Sequence, residues 1–143
     1  MTTTLEPLSQ SHLQLADPGE DLRGKKVVDR DGQDLGKVDD AFIDVSERRI
    51  RFFTVKTGDI LGVGGKSFLV PVDAISSFDG DRIVLSETRD RFVGGPEYHG
   101  SDGVTPKATL DDQDAQALYL TAYEWYDVDQ PYWSPTYRTP SWR

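Results

Sequence analysis

Two Asp-Gly steps, Asp31-Gly32 and Asp79-Gly80, each stand between β-prone runs, and this arrangement constrains the chain more than any other feature. Type I′ hairpin turns need positive φ at both central residues, and Asp-Gly tolerates it. The first step joins KKVVD (25–29) to DLGKVDDAFIDV (34–45), and the second joins SSF to RIVLS. Between them lie IRFFTVK (50–56), reached through the polar connection SERR (46–49), and SFLVPVDAI (67–75). Five or six short strands at this spacing predict an all-β fold, a small barrel or sandwich. No helical period competes between residues 24 and 86. Gly24, Gly32, Gly36 and Gly80 fall where a small closed sheet turns or bulges, and Pro71 belongs at a strand end, edge or bulge. The predicted core is Val27, Val38, Phe42, Phe52, Val55, Leu69, Val70, Ile75, Ile83 and Leu85.

The aromatic residues are segregated. All six Phe lie between Phe42 and Phe92, whereas all three Trp and five of the six Tyr lie between Tyr119 and Trp142. Phe suits a dry core, while Tyr and Trp carry a polar group that suits a half-wet setting. The chain therefore divides into an N-terminal lead (1–19), a packed β domain (20–95), a Gly/Pro-rich linker (96–108) and an aromatic extension (109–143). In the extension, TLDDQDAQALYLTAYEWY (109–126) has room for one short helix, with Thr109 as N-cap and Asp111, Asp112 and Asp114 against the positive end of its dipole. Leu118, Ala122, Trp125 and Tyr126 would share a face. The final stretch, with Pro131, Pro135 and Pro140 at near-regular intervals, reads as extended.

Composition narrows the function. A formal net charge of −9 repels phosphate backbones, so no nucleic-acid partner is expected. The absence of cysteine removes disulfides, thiolate catalysis and sulfur-rich zinc sites, and fits a reducing cytoplasm. The N-terminal residues show no basic segment followed by an apolar one, and no apolar run reaches the roughly 20 residues of a membrane anchor, so a cytoplasmic protein is expected.

Two motifs come close to a ligand site and miss. GDILGVGGKS (58–67) ends Gly-Lys-Ser like a phosphate-binding loop, but that pattern needs glycine where Ile60 stands and a helix where FLVPV follows. DRDGQDLGKVDD (29–40) resembles a calcium loop, but its sixth residue is Asp34 rather than glycine and its twelfth is Asp40 rather than glutamate. His12 and His99 both fall in segments that read as loops, and no spacing rule joins Glu97, His99 and Asp102 into a metal site. No catalytic residue, cofactor or metal is expected, and the chain reads as a non-enzyme.

Taken together, Gly24-Lys25-Lys26-Val27-Val28, the turn Asp29-Arg30-Asp31-Gly32, Leu35-Gly36-Lys37-Val38 with Asp44 beyond, and Val70-Pro71-Val72-Asp73-Ala74-Ile75 resemble the PRC-barrel domain over about residues 20–95. The resemblance implies a small β-barrel of about six strands. Similar domains occur in the cytoplasmic part of the photosynthetic reaction centre H subunit, in a ribosome-maturation factor, in archaeal cell-division proteins and in free-standing bacterial proteins. Their common work is binding and assembly, without shared catalytic residues. This chain resembles the free-standing bacterial type.

The extension supplies the candidate contacts: Trp125, Tyr126, Tyr132, Trp133, Tyr137 and Trp142. Three fates are open to these rings, namely packing on their own barrel, on a second copy, or on another protein. Trp and Tyr dominate interfaces, and the expected function is an interaction and assembly module that self-associates, as a homodimer, through barrel and tail. The alternatives are a reaction-centre-H-like regulator of a membrane or photosynthetic complex, or a small-ligand-binding protein.

Overall fold

The structure, a computed structural model, describes residues 4–8, 13–58, 66–98, 108–109 and 113–140. Its elements are β1 (Thr4–Pro7), β2 (Lys26–Val28), β3 (Asp34–Asp44), β4 (Ile50–Lys56), β5 (Ser67–Pro71), β6 (Ile75–Phe78), β7 (Arg82–Leu85), α1 (Arg89–Val93), β8 (Ala108–Thr109) and α2 (Gln113–Trp125). Six strands form one curled sheet in the order β5-β4-β3-β2-β7-β6. Neighbours are antiparallel except β2 and β7, which run parallel. Strand β3, 11 residues long, organises the sheet. One edge pairs with β4; the other pairs with β2 near its start and with β1 near its end.

The turns form for local reasons. The Asp29 carboxylate accepts from the amides of Asp31 (2.9 Å) and Gln33 (2.7 Å), and its second oxygen accepts from the Arg89 amide at 3.0 Å, tying the first hairpin to the start of α1. Asp79 likewise accepts from the amides of Asp81 and Arg82. In the connection after β3, Asp44 accepts from the Ser46 and Glu47 amides. Gly36 answers a different demand. Its φ is 135°, and a Cβ there would stand 2.2 Å from the Lys56 carbonyl oxygen, so β3 and β4 approach closely only because this residue has no side chain.

All ten predicted core residues are buried, but they divide between two cores. Inside the curled sheet lie Val27, Val38, Val55, Val70, Ile75, Ile83 and Leu85, with Phe53, Phe68 and Phe92 among their neighbours. Phe42, Phe52 and Leu69 face outward and join Leu5, Tyr119, Ala122, Tyr123 and Tyr132 in a second apolar layer. Strand β4 is therefore covered on both sides, which is why IRFFTVK reads as a nearly continuous apolar run instead of an alternating one. Pro71 closes β5, where the missing amide costs little, and a single turn of 3-10 helix (Val72–Ala74) leads into β6.

Several elements differ from the sequence reading. The lead is not bare coil: Thr4–Pro7 pairs with β3 and β8, and Leu5 is fully buried. The linker region continues the sheet at its start, since Leu69 donates to the Pro96 carbonyl and Tyr98 to the Ser67 carbonyl, while residues 99–107 lie outside the described residues. Thr109, read as the helix N-cap, pairs with Thr4 as part of β8; the described helix runs Gln113–Trp125, and residues 110–112, with Asp111 and Asp112, lie outside the described residues. The final stretch is turned, not extended: Ser134 donates to Pro131 (2.9 Å) and Tyr137 to Ser134 (3.1 Å). No described helix is long and apolar enough to cross a membrane.

Candidate interaction site

Helix α2 brings the aromatic extension onto the outer face of β3, β4 and β5. Its buried residues Tyr119, Ala122 and Tyr123, with Tyr126 just past its end, recur at helical spacing. The Tyr119 ring lies 4.7 Å from Phe52 and 6.1 Å from Phe42, and the Tyr123 ring lies 4.9 Å from Phe52, all tilted or edge-on as aromatic quadrupoles prefer. The helix ends with Asp127 at φ 58°, where the Val128 amide donates to the Tyr123 carbonyl and the Asp127 amide to that of Glu124. This is a Schellman ending with Asp in place of the usual glycine, and it turns the chain back toward the barrel.

The next residues are fastened by polar contacts. The Tyr132 hydroxyl donates to Asp44 Oδ2 at 2.6 Å, and the Tyr137 hydroxyl donates to Asp73 Oδ2 at 2.6 Å. Between the two rings lies the Arg51 guanidinium, 4.6 Å from the centre of Tyr132 and 5.6 Å from that of Tyr137. Arg51 is buried and also donates to both Glu47 carboxylate oxygens, at 2.8 and 3.0 Å. The sheet aims it there through a bulge. Phe42 pairs with Phe52 while Ile43 pairs with Ile50, so Arg51 is an extra residue on β4 and points outward beside Phe52. Burial, and then the hydrogen bond to Asp44, raise the Tyr132 hydroxyl well above its ordinary pKa; burial likewise raises Tyr119, Tyr123 and Tyr126. All four are neutral at physiological pH, and of them the Tyr132 hydroxyl donates to Asp44 while the Tyr123 hydroxyl accepts from the Tyr132 amide.

Trp125 is seated differently. Its indole Nε1 donates to the Arg91 carbonyl at 2.9 Å, Arg91 Nη2 donates to the Trp125 carbonyl at 2.7 Å, and the Arg91 guanidinium stacks 4.1 Å from the indole centre. Gly94 and Gly95 make the space: a Cβ on Gly95 would stand 2.9 Å from the indole nitrogen. Tyr126 reaches the inner core, whereas Trp133 is half-buried beside Tyr123 and Tyr132. Five of the six candidate contact residues thus pack on their own barrel, the first of the three fates open from sequence; Trp142 lies outside the described residues.

A family profile for the PRC-barrel domain matches residues 17–92, just over half of the 143. The chain belongs to the PRC-barrel family. No curated protein matches it. The matched span of this PRC barrel ends before α2, so Tyr119, Tyr123, Tyr132 and Tyr137 lie outside the family domain, while Phe42 and Phe52, on which they pack, and Asp44, Arg51 and Asp73, which hold them, lie within it. Arg51 could have been noticed in the sequence as the one charge inside the apolar part of IRFFTVK; its partners could not, because they depend on the bulge.

Among the depressions on the outside of this PRC barrel, two differ sharply in the charges that border them. The larger, about 570 Å³, is bordered by Gly24, Lys26, Asp34, Gly36, Lys37 and Lys56 among others. Its lysines are in register: Lys26 pairs with Lys37, Lys37 with Lys56, and on the far side Lys26 with Arg82. Residues paired this way share a face, so four exposed cations form a row across β7, β2, β3 and β4, spanning about 14 Å at the usual strand spacing. The second depression, about 470 Å³, has apolar walls of Leu120, Tyr123, Val128 and Pro131 with Glu124, Asp127 and Asp129 around them. Residues 59–65, which hold most of the glycine-rich motif, lie outside the described residues. Among the described residues no group of three or more His, Asp or Glu is placed to hold a metal.

Proposed function

We propose that this PRC-barrel protein is a non-enzymatic interaction and assembly module that self-associates through a surface built jointly by barrel and tail. The observation that carries this reading is the cis packing of the tail. With Tyr119, Tyr123, Tyr126 and Tyr132 buried against the barrel, α2 and the tail become a fixed part of the surface instead of a loose ligand. That surface still offers apolar groups at its edge: Leu120 is exposed, and Trp133 and Tyr137 are half-buried. Membership in a family of barrel modules, often used in assembly, supports the same reading.

Solution mass measured by light scattering over a range of protein concentration tests it. A mass rising above that of one chain is expected. A single-chain mass at every concentration contradicts self-association. The full chain is the proper sample, because removing the tail uncovers Phe42, Phe52 and Leu69 and would produce non-specific association.

A further inference from the structure

The two depressions carry opposite charge, and each has an electrostatic cost within the single chain. Like charges directly opposite one another across strands are unfavourable, yet Arg82, Lys26, Lys37 and Lys56 stand in one row on a chain of net charge −9. Two carboxylates that border the same depression relieve part of this, Asp34 at 3.9 Å from Lys26 and Asp39 two residues beyond Lys37, which leaves the three lysines there in excess by one. Carboxylates near a helix C-terminus are also unfavourable, because that end of the dipole is negative. Glu124 and Asp127 stand there; the last turn of α2 holds no basic residue of its own, Arg91 of α1 offsets part of the cost by donating to the Trp125 carbonyl, and neither carboxylate forms an ion pair among the described residues. The two sites lie far apart. The basic row crosses β3 at Lys37, whereas Tyr132, next to Pro131 of the acidic depression, is bonded to Asp44 at the other end of β3. Seven steps along the strand separate Lys37 from Asp44, about 23 Å at the usual rise.

We infer that the basic row of one copy docks on the acidic depression of a second copy, head to tail. This rests on the self-association reading and specifies its interface. Docking brings Lys26, Lys37 and Lys56 against Glu124 and Asp127, and places Leu120 and Pro131 against the groove beside β2 and β3. Both costs are relieved by the same contact. Because donor and acceptor faces lie at opposite ends, the contact does not close on itself, so it builds chains or rings instead of a two-fold dimer. Coulombic contacts at an exposed rim are screened by salt, and assembly weakens as ionic strength rises.

The test uses the full chain and two variants that alter exposed residues, Lys37→Glu and the pair Glu124→Lys/Asp127→Asn; Asn accepts the backbone of position 127 as Asp does. Sedimentation velocity is run on the wild type at about 0.05 M and about 0.5 M salt, with an expected weakening of roughly tenfold or more. Each variant alone is expected to be a single chain. Their equimolar mixture is expected to form a capped dimer, because the first keeps its acidic face and the second its basic row. Circular dichroism establishes that both variants are folded. A wild type that assembles while Lys37→Glu assembles equally overturns the interface and leaves self-association standing. A wild type that is a single chain under all conditions overturns both.

Discussion

The Tyr132 hydroxyl donates to the Asp44 carboxylate at 2.6 Å, joining residues 88 positions apart in the chain. Asp44 ends the central strand and its other oxygen shapes the turn that follows, so a single carboxylate serves both the family domain and the tail that covers it. Removing the hydroxyl by Tyr132→Phe leaves the ring in place and takes away one charge-assisted hydrogen bond from a buried site. A loss of about 1.5–3 kcal/mol is expected in urea unfolding. A loss below the error of that measurement would mean that the ring alone holds the tail.

Gly36→Ala should be far more damaging than Gly32→Ala. Both residues have positive φ, at 135° and 85°, but a Cβ at Gly36 meets the Lys56 carbonyl oxygen at 2.2 Å whereas one at Gly32 meets nothing within 4 Å. The Gly32 variant should lose about 1 kcal/mol. The Gly36 variant must separate β3 from β4, and a loss of about 4 kcal/mol or failure to fold is expected. Comparing the two by thermal unfolding checks the close approach.

Phe52→Ala removes a ring that Tyr119 and Tyr123 both touch, and a cost of about 3–5 kcal/mol is expected from a buried aromatic deletion. If the outer layer were a surface contact of little consequence, the cost would be near that of an exposed substitution. Urea unfolding followed by tryptophan fluorescence distinguishes the two, since Trp133 lies 6.0 Å from Tyr123.

Alkaline pH should release the tail. Tyr119, Tyr123, Tyr126 and Tyr132 all have hydroxyl pKa values raised above the ordinary 10.0, chiefly by burial. The folded state therefore favours the neutral phenol, the contribution is complete below pH 10, and it is lost as pH rises above that value. Each tyrosine that ionises only on unfolding lowers stability by about 1.4 kcal/mol per pH unit in that range. Thermal unfolding between pH 8 and 11, with phenolate absorbance recorded alongside, reads both the onset and the slope. Gradual phenolate formation with no loss of structure would contradict buried hydroxyls.

The strands of the domain were legible because their causes are local. Asp-Gly turns and β-branched runs place β2, β3, β4, β6 and β7 almost where the structure has them, and IRFFTVK coincides with β4. The family motif added the barrel. The double coverage of β4 was not legible: Phe42, Phe52 and Leu69 look like any other core residues until the bulge at Arg51 and the arrival of α2 assign them to the outer face. Strand β1 was missed because Thr4–Pro7 is short and its partner, the end of β3, is distant in sequence. The cation row was missed for the same reason. Lys26, Lys37, Lys56 and Arg82 are scattered in sequence and meet only through strand register.

The central claim is that the tail is fastened to the barrel of its own chain. An isotope-filtered NOE experiment on an equal mixture of labelled and unlabelled protein tests it most directly, using contacts from the Tyr119 and Tyr123 rings to Phe52. The account predicts these contacts within one chain and none between labelled and unlabelled copies. Contacts that appear between copies would show the tail exchanged onto a neighbour and would contradict it.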